Sequence, residues 1–413
     1  MVRGILTALS QGAFVNDDQR AIRFGSQQQG FRYHGLPQTP GFTEIRMPAR
    51  GLSVGIALED GYVAWGDMIS VQYAAAGGRE KLFARAEAVD LLSGELGKRL
   101  LKLRFSDLRA ETRMLFEPLS SGLPVAASVQ YGVSQAILHA YAHIKTTTIA
   151  EVLADAYDVP LIAGPVPIYA QSGDDRIVNT QKMVLKRVDI LPHGLINSPS
   201  TFGVAGEVFG KFAEWVADQV KQEKDDHYRP TLHFDLYGNP GLAFGGDPER
   251  IASFIASIAS RVAPYELNIE SPADYGSVDA QIEGFTRIKK ELDALACDAK
   301  IVADEWCDTL EDIRKFAEAG AADILQIKMP DVGSVTNSFE AVQVCKRFGV
   351  GAYLGGSCTE TDLSARVSVH VAVASQADMQ LAKPGMGVDE ALTIVGNEQS
   401  RLLADLRFKV THH

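Results

Sequence analysis

The sequence predicts an α/β protein: a (β/α)8 TIM-type barrel over residues 161–413, preceded by an α+β capping domain over residues 1–160. Three observations carry this reading. Beyond Pro160, short β-like runs alternate eight times with helical stretches. Before it, strand-like runs come first and helical ones afterwards. Four of the later runs, LHFDLYG, ELNIESP, IVADEWC and ILQIKMP, carry Asp235, Glu270, Asp304 and Lys328 near their ends, spaced like strand-plus-helix units.

In the first part, GLSVGIAL and YVAWGDMI flank Glu59-Asp60-Gly61, a β-hairpin pattern. Helices are expected over 79–103, 124–143 and 147–156, and the domain ends near Val159-Pro160. Barrel strands are expected at 166–171, 189–196, 231–236, 266–271, 300–305, 323–329, 351–355 and 378–382. Among the helices between them, 205–222 shows a stripe of Val208, Phe212, Trp215, Val216 and Val220, with Ser198-Pro199-Ser200 offering capping chemistry before it. The last helix spans 388–405. Gly77-Gly78 and Gly245-Gly246 read as ordinary turns.

Composition narrows the function. With 46% hydrophobic and 22% charged residues the chain is globular rather than disordered. A net charge of −12 without a basic cluster argues against a nucleic-acid partner. No apolar stretch approaches membrane-spanning length, and the N-terminal run is broken by Ser10, Gln11 and Gly12, so a cytoplasmic protein is expected. Cys297, Cys307, Cys345 and Cys358 show no CxxC spacing, which points to neither zinc nor disulfides and favours a reducing compartment.

Any one of the three acidic residues is most simply a helix cap or a loop charge. Three in succession, each closing an apolar run, repel one another unless a cation lies between them. An all-oxygen set suits Mg²⁺ ahead of Mn²⁺ and does not suit zinc. Strand alternation puts Gln326 on the face of Lys328, and His233 on that of Asp235. Inside a barrel, burial and a nearby dication are expected to push the Lys328 pKa below the usual lysine value, toward a usable base. The plain alternative is a lysine that reaches out to solvent or pairs with Asp331. His193, ending DILPH on the second strand, faces Lys328 from the opposite wall if the barrel closes; a histidine merely hydrogen-bonded in the barrel is the alternative. The run Tyr353-Leu354-Gly355-Gly356-Ser357-Cys358 offers backbone N–H groups to a carboxylate or phosphate. Cys358 has no obvious paired base, so it reads as a small loop residue rather than a nucleophile.

The acidic trio on successive strands with Lys328 on the next resembles the enolase superfamily. The motifs HFDLYG, NIESPAD, VADEWC, LQIKMPD and YLGGSC are similar, over nearly the whole chain, to those of 3-methylaspartate ammonia-lyases. The resemblance implies an Mg²⁺-dependent homodimer, activated by a monovalent cation such as K⁺, that converts L-threo-3-methylaspartate to mesaconate and ammonia in glutamate breakdown. It implies Asp235, Glu270 and Asp304 as metal ligands, Lys328 as the base, and His193 acting on the opposite face. Gln171, Gln326, Ser357 and Cys358 would hold the carboxylates and amine. Tyr169, Tyr353 and Leu381 would shape the pocket, with Gln72 of the cap nearby. Ser357 stands where Thr is common in the family. The competing readings are another enolase-superfamily dehydratase or racemase acting on a carboxylate, and a non-catalytic barrel.

Overall fold

The computed structural model describes residues 1–413 apart from Phe24, Lys224, Asp226, Met386 and His413, with the side chain of His412 also outside the description. Residues 2–17, which show little periodicity in sequence, form one long strand, β1 (Val2–Asp17). Two short strands, β2 (Gln27–Gln29) and β3 (Arg32–His34), pair with each other. The expected hairpin follows as β4 (Arg46–Leu58) and β5 (Val63–Met68), turned at Gly61 with φ 91°. Leu58 N–H donates to Tyr62 C=O at 2.8 Å, which closes the turn. β4 is the middle strand of an antiparallel sheet ordered β1-β4-β5. Most β1 side chains are exposed or half-buried, so its order comes from the ladder with β4 rather than from a core face.

The helix expected over 79–103 is shorter and broken. Helices span Arg85–Ser93 and Glu95–Leu100, with Gly94 between them, and residues 79–84 are not helical. A Cβ on Gly97 would lie 1.9 Å from Leu92 C=O, so the close turn between the two helices needs glycine. The other expected helices are present as Ala127–Lys145 and Ile149–Tyr157, the second opened by a capping box between Thr148 and Glu151.

The barrel strands are β6 (Ile168–Tyr169), β7 (Ile190–His193), β8 (Thr231–Asp235), β9 (Leu267–Glu270), β10 (Lys300–Ala303), β11 (Ile324–Lys328), β12 (Gly351–Gly355) and β13 (Met379–Leu381). Each lies within one expected run. They are parallel, and β13 pairs with β6 to close the ring. The inner apolar layer is Tyr169, Ile190, Val302, Ile324, Tyr353, Met379 and Leu381. Outside the ring, the strands' other faces pack on the helices in one continuous core that also runs into the cap.

Two local expectations are corrected. On the helix Glu207–Lys221 the buried face is Phe209, Ala213, Val216 and Val220, while Val208 is 44% exposed and Phe212 and Trp215 are half-buried. Phe209 packs edge-on against Phe234 of β8 at 5.1 Å, which rotates the stripe by about one residue. Ser198 caps its own one-turn helix, Pro199–Phe202, and the long helix starts after Gly206, at φ 83°. The last helix runs on to His412. Among the described residues no helix is long and apolar enough to cross a membrane.

Candidate active site and metal centre

The barrel's closure brings the sequence candidates together at the C-terminal ends of its strands. Asp235 and Glu270 end neighbouring strands and face each other in register. Asp304 follows the next strand by one residue. Each of the three offers an oxygen, all within 4.8 Å of one another and all buried. Lys328, the last residue of β11, donates to Asp304 Oδ2 at 2.8 Å. His193 ends β7, four strands away around the ring of eight, so it stands on the wall opposite Lys328.

Neighbours orient these groups. Glu270 accepts from Gln326 Nε2 at 2.5 Å on one oxygen and pairs with His233 Nε2 at 2.8 Å on the other. The alternation argument therefore holds: His233 and Gln326 both point inward. Burial, with like charge from Glu305 and Asp304, pushes Asp235 well above the usual carboxylate range. Burial also raises Glu270, aided by Asp235 and Asp304. Asp304 goes the other way: burial opposes its charge, but Lys328 and Arg79 outweigh burial and hold it low.

Opposing groups set the Lys328 pKa among the protein's own side chains. Burial and the Arg79 charge favour a neutral amine, yet Asp304 and Asp331 win and raise its pKa. His193 is neutral, lowered to about 3 by burial and by the Lys328 charge. Its Nδ1 accepts Leu195 N–H at 3.2 Å, which leaves the proton on Nε2, 3.6 Å from Asp235 Oδ2.

Lys328, His193, Gln171, Gln326, Gln72, Ser357 and Cys358 border one small space with Asp235 and Asp304. A larger hollow at the other end of the barrel, lined by Arg187, Glu266 and Lys300, contains none of these carboxylates. Gln72 reaches in from the cap. Its N–H donates to Ser357 Oγ at 2.9 Å, its Nε2 to Asp17 at 2.9 Å, and its Oε1 accepts the Cys358 S–H at 3.1 Å. Burial pushes the Cys358 thiol up, which agrees with a non-nucleophilic role. Tyr169 stacks on His233 at 4.2 Å and, with Tyr353 and Leu381, belongs to the apolar layer rather than the cavity wall. Gln171 Oε1 and Gln326 Oε1 have no protein partner among the described residues, which leaves polar atoms for a ligand.

The donor set fits a divalent cation. Asp235, Glu270, Asp304 and Glu305 are all buried, against Lys328 and an Arg79 whose charge is shared with Asp308 and Asp331. A dication offsets the remaining negative charge, and carboxylate oxygens are its natural ligands.

Comparison with known proteins shows the family of the chain. Residues 1–158 match the methylaspartate ammonia-lyase N-terminus and residues 160–408 the methylaspartate ammonia-lyase C-terminus. The chain belongs to the methylaspartate ammonia-lyase family. It is 44% identical to methylaspartate ammonia-lyase 1 of Carboxydothermus hydrogenoformans, over 99% of this chain and 98% of that one. The solved Citrobacter amalonaticus methylaspartate ammonia-lyase, which contains (2S,3S)-3-methylaspartic acid, is 41% identical with a TM-score of 0.96, covering 98% of this chain and 99% of that one. The β-methylaspartase of Clostridium tetanomorphum, solved as an Mg complex, is 39% identical with a TM-score of 0.92, covering 99% of both chains. This chain is thus a carbon–nitrogen lyase.

Several parts of this ammonia-lyase's site escape sequence reasoning. Arg79 is buried and reaches from the cap to Asp304 Oδ1 and Asp331 Oδ2, both at 3.0 Å, and to Asp308 at 3.5 Å. Gly77-Gly78 is more than a turn: a Cβ on Gly78 would lie 2.8 Å from Asp308 Oδ2, so glycine lets the cap approach the barrel mouth. Glu305, beside Asp304 in sequence, accepts from the Ser271 hydroxyl. The Gly355-Gly356-Ser357 loop holds an anion of its own, because Ser357 N–H donates to Glu360 at 2.7 Å. The only cue for Arg79 in the sequence is its place after two glycines.

Proposed function

We propose that this ammonia-lyase converts L-threo-3-methylaspartate to mesaconate and ammonia, with Lys328 removing the C3 proton. The electron pair of the C3–H bond becomes the C2–C3 double bond as the C2–N bond breaks and ammonia leaves. The observation that carries this is Lys328 at the edge of a buried three-carboxylate centre, with His193 facing it across the cavity. Asp235, Glu270 and Asp304 would hold Mg²⁺ (Mn²⁺ as a substitute), which would supply positive charge where the substrate carboxylate gains electron density in the enolate left by proton removal. Lys328 removes the proton from its neutral amine form, and His193 serves as an acid or base on the other face.

Gln171, Gln326, Ser357, Cys358 and Gln72 hold the carboxylates and amine of this small amino-acid substrate. Neutral amides position the amine without adding charge. Tyr169, Tyr353 and Leu381 would act from the buried apolar layer, backing the cavity in which the carbon skeleton sits rather than lining it. Residues 1–160 form the cap that excludes water, and residues 161–413 the catalytic barrel. Further parts of the proposal are a homodimer, activation by a monovalent cation such as K⁺, and a cytoplasmic location, the last supported by four free cysteines.

The test follows the ultraviolet absorbance of mesaconate from purified protein given 3-methylaspartate, Mg²⁺ and K⁺. The expected result is growth of the signal that EDTA abolishes. No signal from folded, metal-loaded protein would transfer the site to another carboxylate substrate.

A further inference from the structure

Behind the cavity wall lies a buried ion pair with no place in the chemistry above. Lys383 follows β13 and is 1% exposed; Glu360 is wholly buried. Lys383 Nζ lies 3.1 Å from Glu360 Oε2 and donates to Gly355 C=O at 2.9 Å. Glu360 Oε2 also accepts Ser357 N–H at 2.7 Å, and Oε1 accepts the Tyr131 hydroxyl at 2.5 Å. Tyr131 comes from the cap helix Ala127–Lys145. Neither Lys383 nor Glu360 borders the cavity, whereas Gly356, Ser357 and Cys358 do.

A buried ion pair is weak evidence for stability, since desolvation cancels much of the attraction. What distinguishes this pair is where its hydrogen bonds go. Lys383 holds the carbonyl just before Gly356, and Glu360 holds the N–H just after it. Gly356 passes so close that a Cβ there would lie 2.0 Å from Glu360 Oε2 and 2.5 Å from Lys383 Nζ. The pair therefore fixes the Gly355–Gly356 and Gly356–Ser357 peptides, which lead into Ser357 and Cys358. Ser357 Oγ then meets Gln72 N–H at 2.9 Å, so the cap and the barrel converge on one hydroxyl.

We propose that the Lys383–Glu360 pair, braced by Tyr131 of the cap, positions the Gly355–Cys358 loop so that Ser357 and Cys358 can grip a substrate carboxylate. The proposal rests on the reading that these two residues bind substrate. Lys383 and Glu360 are positioning residues that act through the loop.

The test compares Lys383→Met, Glu360→Gln, the double variant and Ser357→Ala in steady-state kinetics with 3-methylaspartate and Mg²⁺, alongside thermal melting. Both single variants are expected to fold and to keep the parent's half-saturating Mg²⁺ concentration. Their KM should rise about tenfold or more, while kcat falls less. The double variant, free of an unpaired charge, should regain melting temperature but keep the raised KM. A parent KM in a folded single variant, a parent KM in the double variant, or loss of the fold in both single variants would each overturn the proposal. A parent KM in Ser357→Ala would remove the substrate contact beneath it, and the proposal with it. A raised KM in Ser357→Ala beside parent values in the pair variants would overturn the positioning role alone.

Discussion

Asp304 is gripped from both sides, by Lys328 on Oδ2 at 2.8 Å and by Arg79 on Oδ1 at 3.0 Å. A carboxylate so held keeps the lysine protonated, and a protonated lysine removes no proton. For Lys328 to serve as the proposed base, that grip has to be loosened before the proton moves. Lys328→Ala should lower kcat by about a hundredfold to ten-thousandfold, the usual worth of a positioned base. Half-saturating Mg²⁺ should stay within about threefold of the parent, because the alanine removes a competitor for Asp304 and no ligand. Lys328→Arg should be as inactive, since a guanidinium does not deprotonate. Solvent exchange at C3 of the substrate, followed by NMR, reads the same step and should vanish in both variants. Activity within tenfold of the parent in Lys328→Ala would remove lysine from the role of base.

At the scale of elements, the cap is built on glycine contacts. β5 lies against the helix Ala127–Lys145 so closely that a Cβ on Gly66 would fall 2.0 Å from Gly132 C=O, and one on Gly132 would fall 2.6 Å from Met68 N. Backbone atoms cannot turn aside as a flexible side chain can. Gly132→Ala should cost about 1–3 kcal/mol in urea unfolding, the range for overpacking. Gly4→Ala, where a Cβ meets nothing within 4 Å, should change little. Equal stability in the two variants would disprove the close-packing account. These elements also show what a sequence reveals. The eight barrel runs, and Asp235, Glu270, Asp304 and Lys328 near their ends, are legible because a repeating unit places chemistry at a fixed point of each repeat. The strand Val2–Asp17 is not legible, because its order depends on a partner some 40 residues away rather than on its own periodicity. Arg79 and the Lys383–Glu360 pair are hidden for the same reason. Their partners come from across the cap–barrel contact or from different barrel loops, and no local spacing marks them.

For the whole molecule, the metal and the pH of stability are one question. In the metal-free fold Asp235 and Glu270 are raised, so above the unfolded carboxylate value of about 4 the folded protein keeps protons that the unfolded chain has released. Their contribution is full below that value and is lost as pH rises through the folded values. Asp304, held low, adds stability above about pH 4 and loses it as pH falls through its folded value. Buried His139, lowered to about 4, acts in the same sense as Asp304: its contribution is present above about 6.5 and lost on acidification. His139 packs toward His370, away from the carboxylates, so it cancels between metal-free and metal-loaded protein. A bound dication needs the carboxylates ionised, so uptake expels protons and strengthens as pH rises. At a hundred times its dissociation constant a metal adds about 2.7 kcal/mol. The melting-temperature gap between Mg²⁺-saturated and EDTA-treated protein should therefore widen as pH rises above the unfolded carboxylate value of about 4. Calorimetric titration in buffers of different ionisation enthalpy should show proton release on binding. A gap that stays constant, together with a binding heat independent of buffer, would mean that the three carboxylates are already ionised without metal. Their mutual repulsion would then have to be relieved by Arg79 and Lys328 alone.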